Sequence, residues 1–223
     1  MPGTGFDVVP SDCLARHLAE RLPEATSLVL AFTSVGGRTS HGTATTMVES
    51  LHRPNLVRRD GVLTEVRSGR LRRSIDFGSG PRPTMSIPWG DVSTAYASTR
   101  IPNIEVYMAL PRAAIAGARV AGYLGGLLGS GPVQRLLQRR VDAGPAGPTD
   151  AERERAFSVL FGEVRAGGAA VCARLRVPEG YTLTARTSLA IAARVLDGEP
   201  AMMYGADFIL GFEGVERTEL RPA

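Results

Sequence analysis

The sequence predicts an α+β fold, a largely antiparallel mixed sheet with flanking helices. Three observations predict it. Runs of strand length and segments of helical periodicity follow one another without the strand-helix-strand regularity of a doubly wound parallel sheet. An Asp60-Gly61 pair separates two strand-like runs, the residue pair that a two-residue hairpin turn favours. The 26 glycines and 15 prolines among 223 residues call for many turns, as a sheet-rich chain needs.

Taken in order, Ser11 is placed to cap a helix over 12–22, in which Cys13, Leu14, His17, Leu18 and Leu22 recur at helical spacing until Pro23 ends it. Residues 27–33 form an apolar run of strand length, closed by Gly36-Gly37. A helical periodicity over 43–51 is broken by Pro54. Short strands follow around 57–59, 62–66, 71–77 and 85–87, and the turn Pro88-Trp89-Gly90-Asp91 opens a helix over 92–98. The alternation of 103–110 gives a strand lying against that helix. From 111 to 141 the chain is rich in alanine, glycine and leucine and reads as two helices divided at Gly129-Ser130-Gly131-Pro132. The first contains Gly122-x-x-x-Gly126, a spacing that lets helices approach closely in a core or a dimer interface. Residues 144–149 form an exposed loop. A hairpin over 156–165 and 169–177 turns at Gly167-Gly168, a helix over 184–196 puts Leu189, Ala192, Ala193 and Leu196 on one face, and 206–212 supplies the last strand.

Composition narrows the class. Apolar residues at 43% and charged ones at 22% suit a globular chain, read here as one domain over 1–223. Arg112, Arg119 and the break at Gly129 keep the 111–141 segment below the ~20 uninterrupted apolar residues of a membrane span; a membrane-surface contact over 113–128 is its other reading. Every one of the 26 basic residues is arginine. Without lysine, Schiff-base chemistry, a phosphate-loop lysine and a lysine general base are excluded, and the cations can only clamp anions or pair with carboxylates. The arginines are scattered and not interleaved with aromatics, so the net charge of +4 is read as a solvated surface and no nucleic-acid partner is expected. Cys13 and Cys172 read as buried thiols in a reducing compartment. With no basic and apolar leader at the N-terminus, a cytoplasmic location is expected.

Several residues are candidates for chemistry. Gly3-Thr4-Gly5 resembles the start of a dinucleotide fingerprint, but Val8 stands at the third glycine position, so no nucleotide site is expected on this chain alone. Asp12 in the first helical turn complements the helix dipole, which leaves Asp7, in the preceding turn, as the better functional candidate. The segment from Ser40 through His41 and Thr43 to Thr46 offers an imidazole and hydroxyls at a helix start, either as an anion site or as an N-cap with satisfied threonines. Trp89, the one tryptophan, walls a pocket or anchors the core. Tyr181 and Tyr204 offer phenolic donors. His17 and His52 lie on expected helices, and three dispersed histidines argue against a metal site.

The blocks from Gly5 to Asp12, Gly42 to Met47, Ile75 to Gly78, Ile87 to Val92 and Tyr204 to Phe208 together resemble the bacterial saccharopine dehydrogenase-like proteins, which include trans-acting enoyl reductases. The resemblance spans nearly the whole chain. It implies a substrate-binding and dimerisation domain that follows a Rossmann domain, with NADP or NAD as cofactor and hydride transfer to a carbonyl, imine or enoyl substrate. By that resemblance residues 1–12 are a hinge, and Gly5, Phe6, Pro10, Ser11 and Asp12 line the cofactor cleft with Thr43, Trp89 and Tyr181. Asp7 and His41 are the catalytic candidates, as proton donor or orienting group. A homodimer, a small-molecule substrate and a cofactor-domain partner are the implied associates. Two departures stand out: the nucleotide-binding half is not in this sequence, and the stretch between Gly198 and Tyr204 is shorter than the family's loop. The alternative is a non-catalytic dimerisation or scaffolding domain.

Overall fold

Strand alternation sets the frame. In β1 (Ser27–Val35), Leu28, Leu30 and Phe32 enter one apolar cluster while Val29 and Ala31 enter a second on the opposite side, the period-two pattern of a strand buried on both faces. The structure, a computed structural model, describes residues 3–144, 146–198 and 205–221. β1 pairs in parallel with β6 (Asn103–Ala109) and antiparallel with β7 (Phe157–Ala166). The outer edge of β6 is shared. β2 (Asn55–Arg59) meets it at Arg58 opposite Ile104, and β5 (Pro81–Ser86) meets it through Thr84, Met85 and Ser86.

β3 (Val62–Val66) pairs with β2 across the Asp60-Gly61 turn, where both residues have positive φ as a tight hairpin requires. β4 (Arg72–Asp76) pairs with β5, and β8 (Ala169–Pro178) and β9 (Glu216–Leu220) extend the sheet beyond β7. The order is β3-β2-β6-β1-β7-β8-β9, and among the described residues only β1 and β6 run parallel. The fold is α+β with a largely antiparallel sheet.

One face is covered by helices. α1 (Val9–Arg21) lies over β7 and β8, α3 (Asp91–Thr99) packs beside it over β6, and α8 (Gly180–Leu196) rests on β8. The tightest contact is at Gly162 in β7, where a Cβ would stand 2.5 Å from Leu18 Cδ1 and 3.1 Å from Leu14 Cδ2. The opposite face buries Ile75 and Phe77 against Val29, Ala31, Tyr107 and Val159. Beside them runs a charged network. Glu105 accepts from Arg59 and Tyr107, Arg73 reaches Glu105 at 3.4 Å, and Arg165 grips Glu163 with two bonds of 2.8 Å. Burial alone would raise the Glu105 carboxyl, but the Tyr107 and Arg59 hydrogen bonds and the charges of Arg59 and Arg73 lower it. Burial and that carboxylate push the Tyr107 phenol up to about 12.

The remaining helices are α2 (His41–Ser50), α4 (Arg112–Ala121), α5 (Gly125–Leu128), α6 (Gly131–Asp142) and α7 (Asp150–Arg155). α2 and α6 pack on one another, and neither buries a residue fully. No helix among the described residues is long and apolar enough to cross a membrane.

Five expectations are corrected. Ser11 is not the cap of α1: the helix starts at Val9, Pro10 occupies its first turn where a missing N–H is harmless, and the Ser11 hydroxyl donates to Val8 O at 3.0 Å. The 111–141 stretch holds three helices, and Gly122 and Gly126 do not share one. Gly122 ends α4, and its close approach is to a loop, with a Cβ there only 3.0 Å from Ser68 O. α8 begins at Gly180 because Glu179 accepts from the Tyr181 and Thr182 amides at 3.0 Å, and its buried face is Leu183, Thr187 and Ile191. Leu189 and Leu196, expected on the inner face, are 72% and 86% exposed. Residues 206–212 do not form a strand but hold a 3₁₀ turn, Phe208–Gly211; the last strand is β9, whose charge-rich sequence concealed it. α7 was unforeseen although Thr149 and Glu152 form a capping box.

Because α1 is seated on Gly162, Gly162→Val is expected to lower stability by roughly 1–3 kcal/mol through overpacking. Urea unfolding monitored by circular dichroism would show this as a lower midpoint with an unchanged slope.

Candidate functional site

The N-termini of α1, α3 and α8 meet near the C-terminal end of β1 and bring several of the expected residues together. Gly5 is buried because a Cβ there would stand 2.8 Å from Thr184 Cγ2 on α8. The Phe6 amide donates to Thr184 Oγ1 at 3.0 Å, and Thr187 Oγ1 donates to Thr4 O at 2.7 Å. These bonds fasten the 3–8 turn to α8. The Phe6 ring lies over Gly180, where a Cβ would approach within 3.3 Å of it, and meets Phe32 edge-on at 5.8 Å. Phe32 in turn packs on Trp89 at 4.9 Å. Phe6, Phe32 and Trp89 thus form one aromatic wall, with Phe6 and Trp89 only partly buried.

Tyr181 extends the corner to α2. Its phenol oxygen accepts from the Ser40 amide at 2.8 Å and lies 3.1 Å from Thr43 Oγ1. Burial would raise this phenol, yet the bonds from Ser40 and Thr43 lower it. Ser40 is the N-cap of α2, accepting from the Thr43 amide, so the capping reading of this segment is the one the structure shows. His41 is held outside the corner: its Nε2 lies 3.0 Å from Gly144 O and its amide donates to Ala146 O. His17 Nε2 bonds Glu219 at 2.6 Å on β9, and His52 lies in the turn after α2 rather than on a helix.

Behind the aromatic wall is a carboxyl cluster whose deepest member the sequence reading passed over. Asp7 is exposed at the turn, while Asp12 is buried and accepts from Ser98. Asp91, the first residue of α3, is fully buried. Neither of its carboxyl oxygens has a hydrogen-bond partner of good geometry among the described residues. The neighbouring Ser11 hydroxyl, which would favour the ionised form, is directed at Val8 O. Burial drives the Asp91 carboxyl well above the ordinary carboxylate range, and the charges of Asp12 and Asp7 push the same way. Burial also raises Asp12, against the opposing pull of Ser98 and Arg16. Asp91 is therefore a carboxyl whose burial favours the protonated form, held beside the exposed Asp7 turn. The signal was present in the sequence as an aspartate after Trp89-Gly90, but burial, which gives it its chemistry, is a tertiary property.

The turn before α1 does not fit a dinucleotide pyrophosphate. The Val8 and Val9 amides both donate to Gly5 O, at 3.2 and 2.9 Å, and Pro10 has no N–H, so the amides that would cradle a phosphate are spent. No group of three or more His, Cys, Asp or Glu side chains is disposed to hold a metal among the described residues. Cys13 and Cys172 are buried free thiols, pushed up to about 12 and about 11 by burial. Tyr204 and the stretch 199–204 lie outside the described residues. Two surface clefts are formed elsewhere, and none of the expected site residues lines either. The sequence matches no protein-family model and no curated protein.

Two outcomes follow from this geometry. A carboxyl whose folded pKa lies above its unfolded value makes stability fall as pH rises from the unfolded pKa through the folded one. Asp91 and Asp12 both act in that direction. The stability of the natural chain relative to Asp91→Asn is therefore expected to decline as pH rises above about 4, read from urea midpoints measured in parallel; a difference independent of pH would mean that folding does not raise the Asp91 carboxyl. Tyr181→Phe removes both hydroxyl contacts to α2 and is expected to cost about 1 kcal/mol, with faster amide exchange confined to residues 40–50.

Proposed function

We propose that this chain is the substrate-binding and dimerisation domain of an NAD(P)-dependent oxidoreductase of the saccharopine dehydrogenase-like kind, acting by hydride transfer on a carbonyl, imine or enoyl group. The observation that carries the proposal is the assembly of the Gly5-to-Asp12 segment and the Trp89 turn into one corner, with an exposed carboxyl at Asp7 beside the Phe6–Phe32–Trp89 wall.

The nicotinamide cofactor, NADP or NAD, would supply the hydride. Its pyrophosphate would be held by a cofactor domain or partner, because the amides before α1 are already bonded. The residues of this chain would position the substrate. Phe6 and Trp89 offer apolar rings that would exclude water, and the Tyr181–Thr43 pair offers hydroxyls near them. Asp7 would hold a proton, or orient the substrate atom that receives one, and the buried Asp91 behind it, whose carboxyl desolvation raises, would disfavour a second negative charge in the corner. His41 loses its claim as proton donor while its ring is engaged with Gly144 O.

The rival reading, a non-catalytic dimerisation or scaffolding domain, is favoured by the outward apolar side chains of α8, Leu189 and Leu196.

Trp89 is the single tryptophan and reports on the corner directly. Its fluorescence is to be titrated with a 2-oxo acid, an α,β-unsaturated thioester and an N-carboxyalkyl amino acid, as members of the three substrate classes. Saturable quenching by one class, lost in Phe6→Ala and retained in Leu189→Ser, is expected. No saturable response to any class, in a chain that sediments as a dimer, would favour the scaffolding reading.

A further inference from the structure

A concentration of positive charge lies away from the aromatic corner. A cleft of about 550 Å³ opens between the β4–β5 hairpin, the turn leading into β4, and α4. Its lining carries Arg70, Arg72, Arg73, Arg112 and Arg119 with Thr84, and it includes no acidic residue. Arg73 is neutralised from beneath, reaching Glu105 at 3.4 Å and Glu163 at 3.8 Å. Arg70, Arg72, Arg112 and Arg119 have no carboxylate or aromatic partner among the described residues. Elsewhere, arginines such as Arg59, Arg165 and Arg217 are matched to carboxylates. Four guanidinium groups around one concavity repel one another, and an anion seated among them removes that cost.

The walls of the cleft are fixed rather than loose. Gly69, with φ of +71°, is so close to α4 that a Cβ would stand 2.5 Å from Arg119 Cγ and 3.0 Å from its backbone nitrogen. Gly122, at the same C-terminal end of α4, lies close to Ser68 O, 3.0 Å from where a Cβ would stand. Ile115 is buried in the main core and pins the middle of α4, and the Leu110 amide donates to Pro83 O at 3.1 Å to tie the helix entry to β5. Arg112 and Arg119 project from one anchored helix, Arg70 and Arg72 from the opposing chain.

We propose that this cleft binds a phosphoryl group, carried by a small phosphate or pyrophosphate ester or by a lipid headgroup. Guanidinium forks clamp phosphate oxygens in pairs, which an ammonium cannot do, and arginine is the one cation this chain uses. Four uncompensated charges suit a pyrophosphate better than a carboxylate, and the volume leaves room for an organic substituent. The site shares no residue with the aromatic corner, so it stands whatever the corner binds.

The test is a calorimetric titration of the full chain with inorganic pyrophosphate at low salt, beside sedimentation with phosphatidylglycerol and phosphatidylcholine vesicles. Arg112→Gln/Arg119→Gln keeps the Arg119 side-chain stem that packs on Gly69, and Arg135→Gln/Arg139→Gln on α6 removes the same charge outside the cleft. Saturable pyrophosphate binding, weakened about tenfold or more by the cleft variant and little changed by the α6 variant, is expected. Binding of phosphatidylglycerol vesicles but not pyrophosphate, with the same dependence on Arg112 and Arg119, assigns the site to a lipid headgroup; the reverse assigns it to a soluble ester. Equal loss in both variants, or no binding of either probe, overturns the proposal. Should the cleft variant melt at a lower temperature than the natural chain, Arg70→Gln/Arg72→Gln on the opposite wall replaces it.

Discussion

The seating of α1 on Gly162 is the contact on which the rest of the arrangement depends. Leu14 and Leu18 occupy the space a β7 side chain would need, so the helix lies directly on the sheet, and every other element of that layer is placed relative to it. Its C-terminal half is tied to β9 through His17 and Arg21, both of which reach Glu219. Its N-terminal turn is thereby delivered to α3 and α8, where Gly5 lies close against Thr184, the Phe6 amide donates to Thr184 and Asp12 accepts from Ser98. The candidate corner is a consequence of helix packing as much as of its own residues.

The two faces of the sheet solve the problem of charge differently. On the open face, Glu105 and Glu163 are buried but satisfied by Arg59, Arg73, Arg165 and Tyr107, and hydrogen bonds together with the arginine charges outweigh desolvation, so both carboxyls are lowered. Under the helices, Asp91 has no such partner and desolvation wins. A buried carboxylic acid without a cation is a standing cost to the fold, and it is found beside the exposed Asp7 turn. A chain whose only cation is arginine has no lysine amine to neutralise by deprotonation, so its charges must be paired, solvated or left to attract an anion.

The glycines show how pattern and meaning separate. Gly122 and Gly126 carry the spacing of a helix-packing motif, yet α4 ends at Gly122's doorstep and the small residue instead admits the Ser68 carbonyl. Leu189 and Leu196 have the periodicity of a buried stripe, but the bonds of Thr184 and Thr187 to the 4–6 turn fix the rotation of α8 and turn that stripe outward. In both cases the local pattern is real and the partner is different.

By itself the sequence determined the class of fold, the β2–β3 hairpin at Asp60-Gly61, the strands around β1, β6, β7 and β8, and the two buried thiols, because alternation, turn chemistry and apolar runs are local properties. It also singled out Gly5, Phe6, Thr43, Trp89 and Tyr181, which do come together. Only the tertiary structure decided that His41 is engaged with the Gly144 carbonyl, that Ser11 supports the turn instead of capping the helix, and that Asp91 is a buried carboxyl raised by desolvation. It alone gathered arginines that read as scattered in the sequence around one cleft. Burial and the convergence of distant side chains depend on which surfaces meet, and that is fixed by packing between elements far apart in the chain.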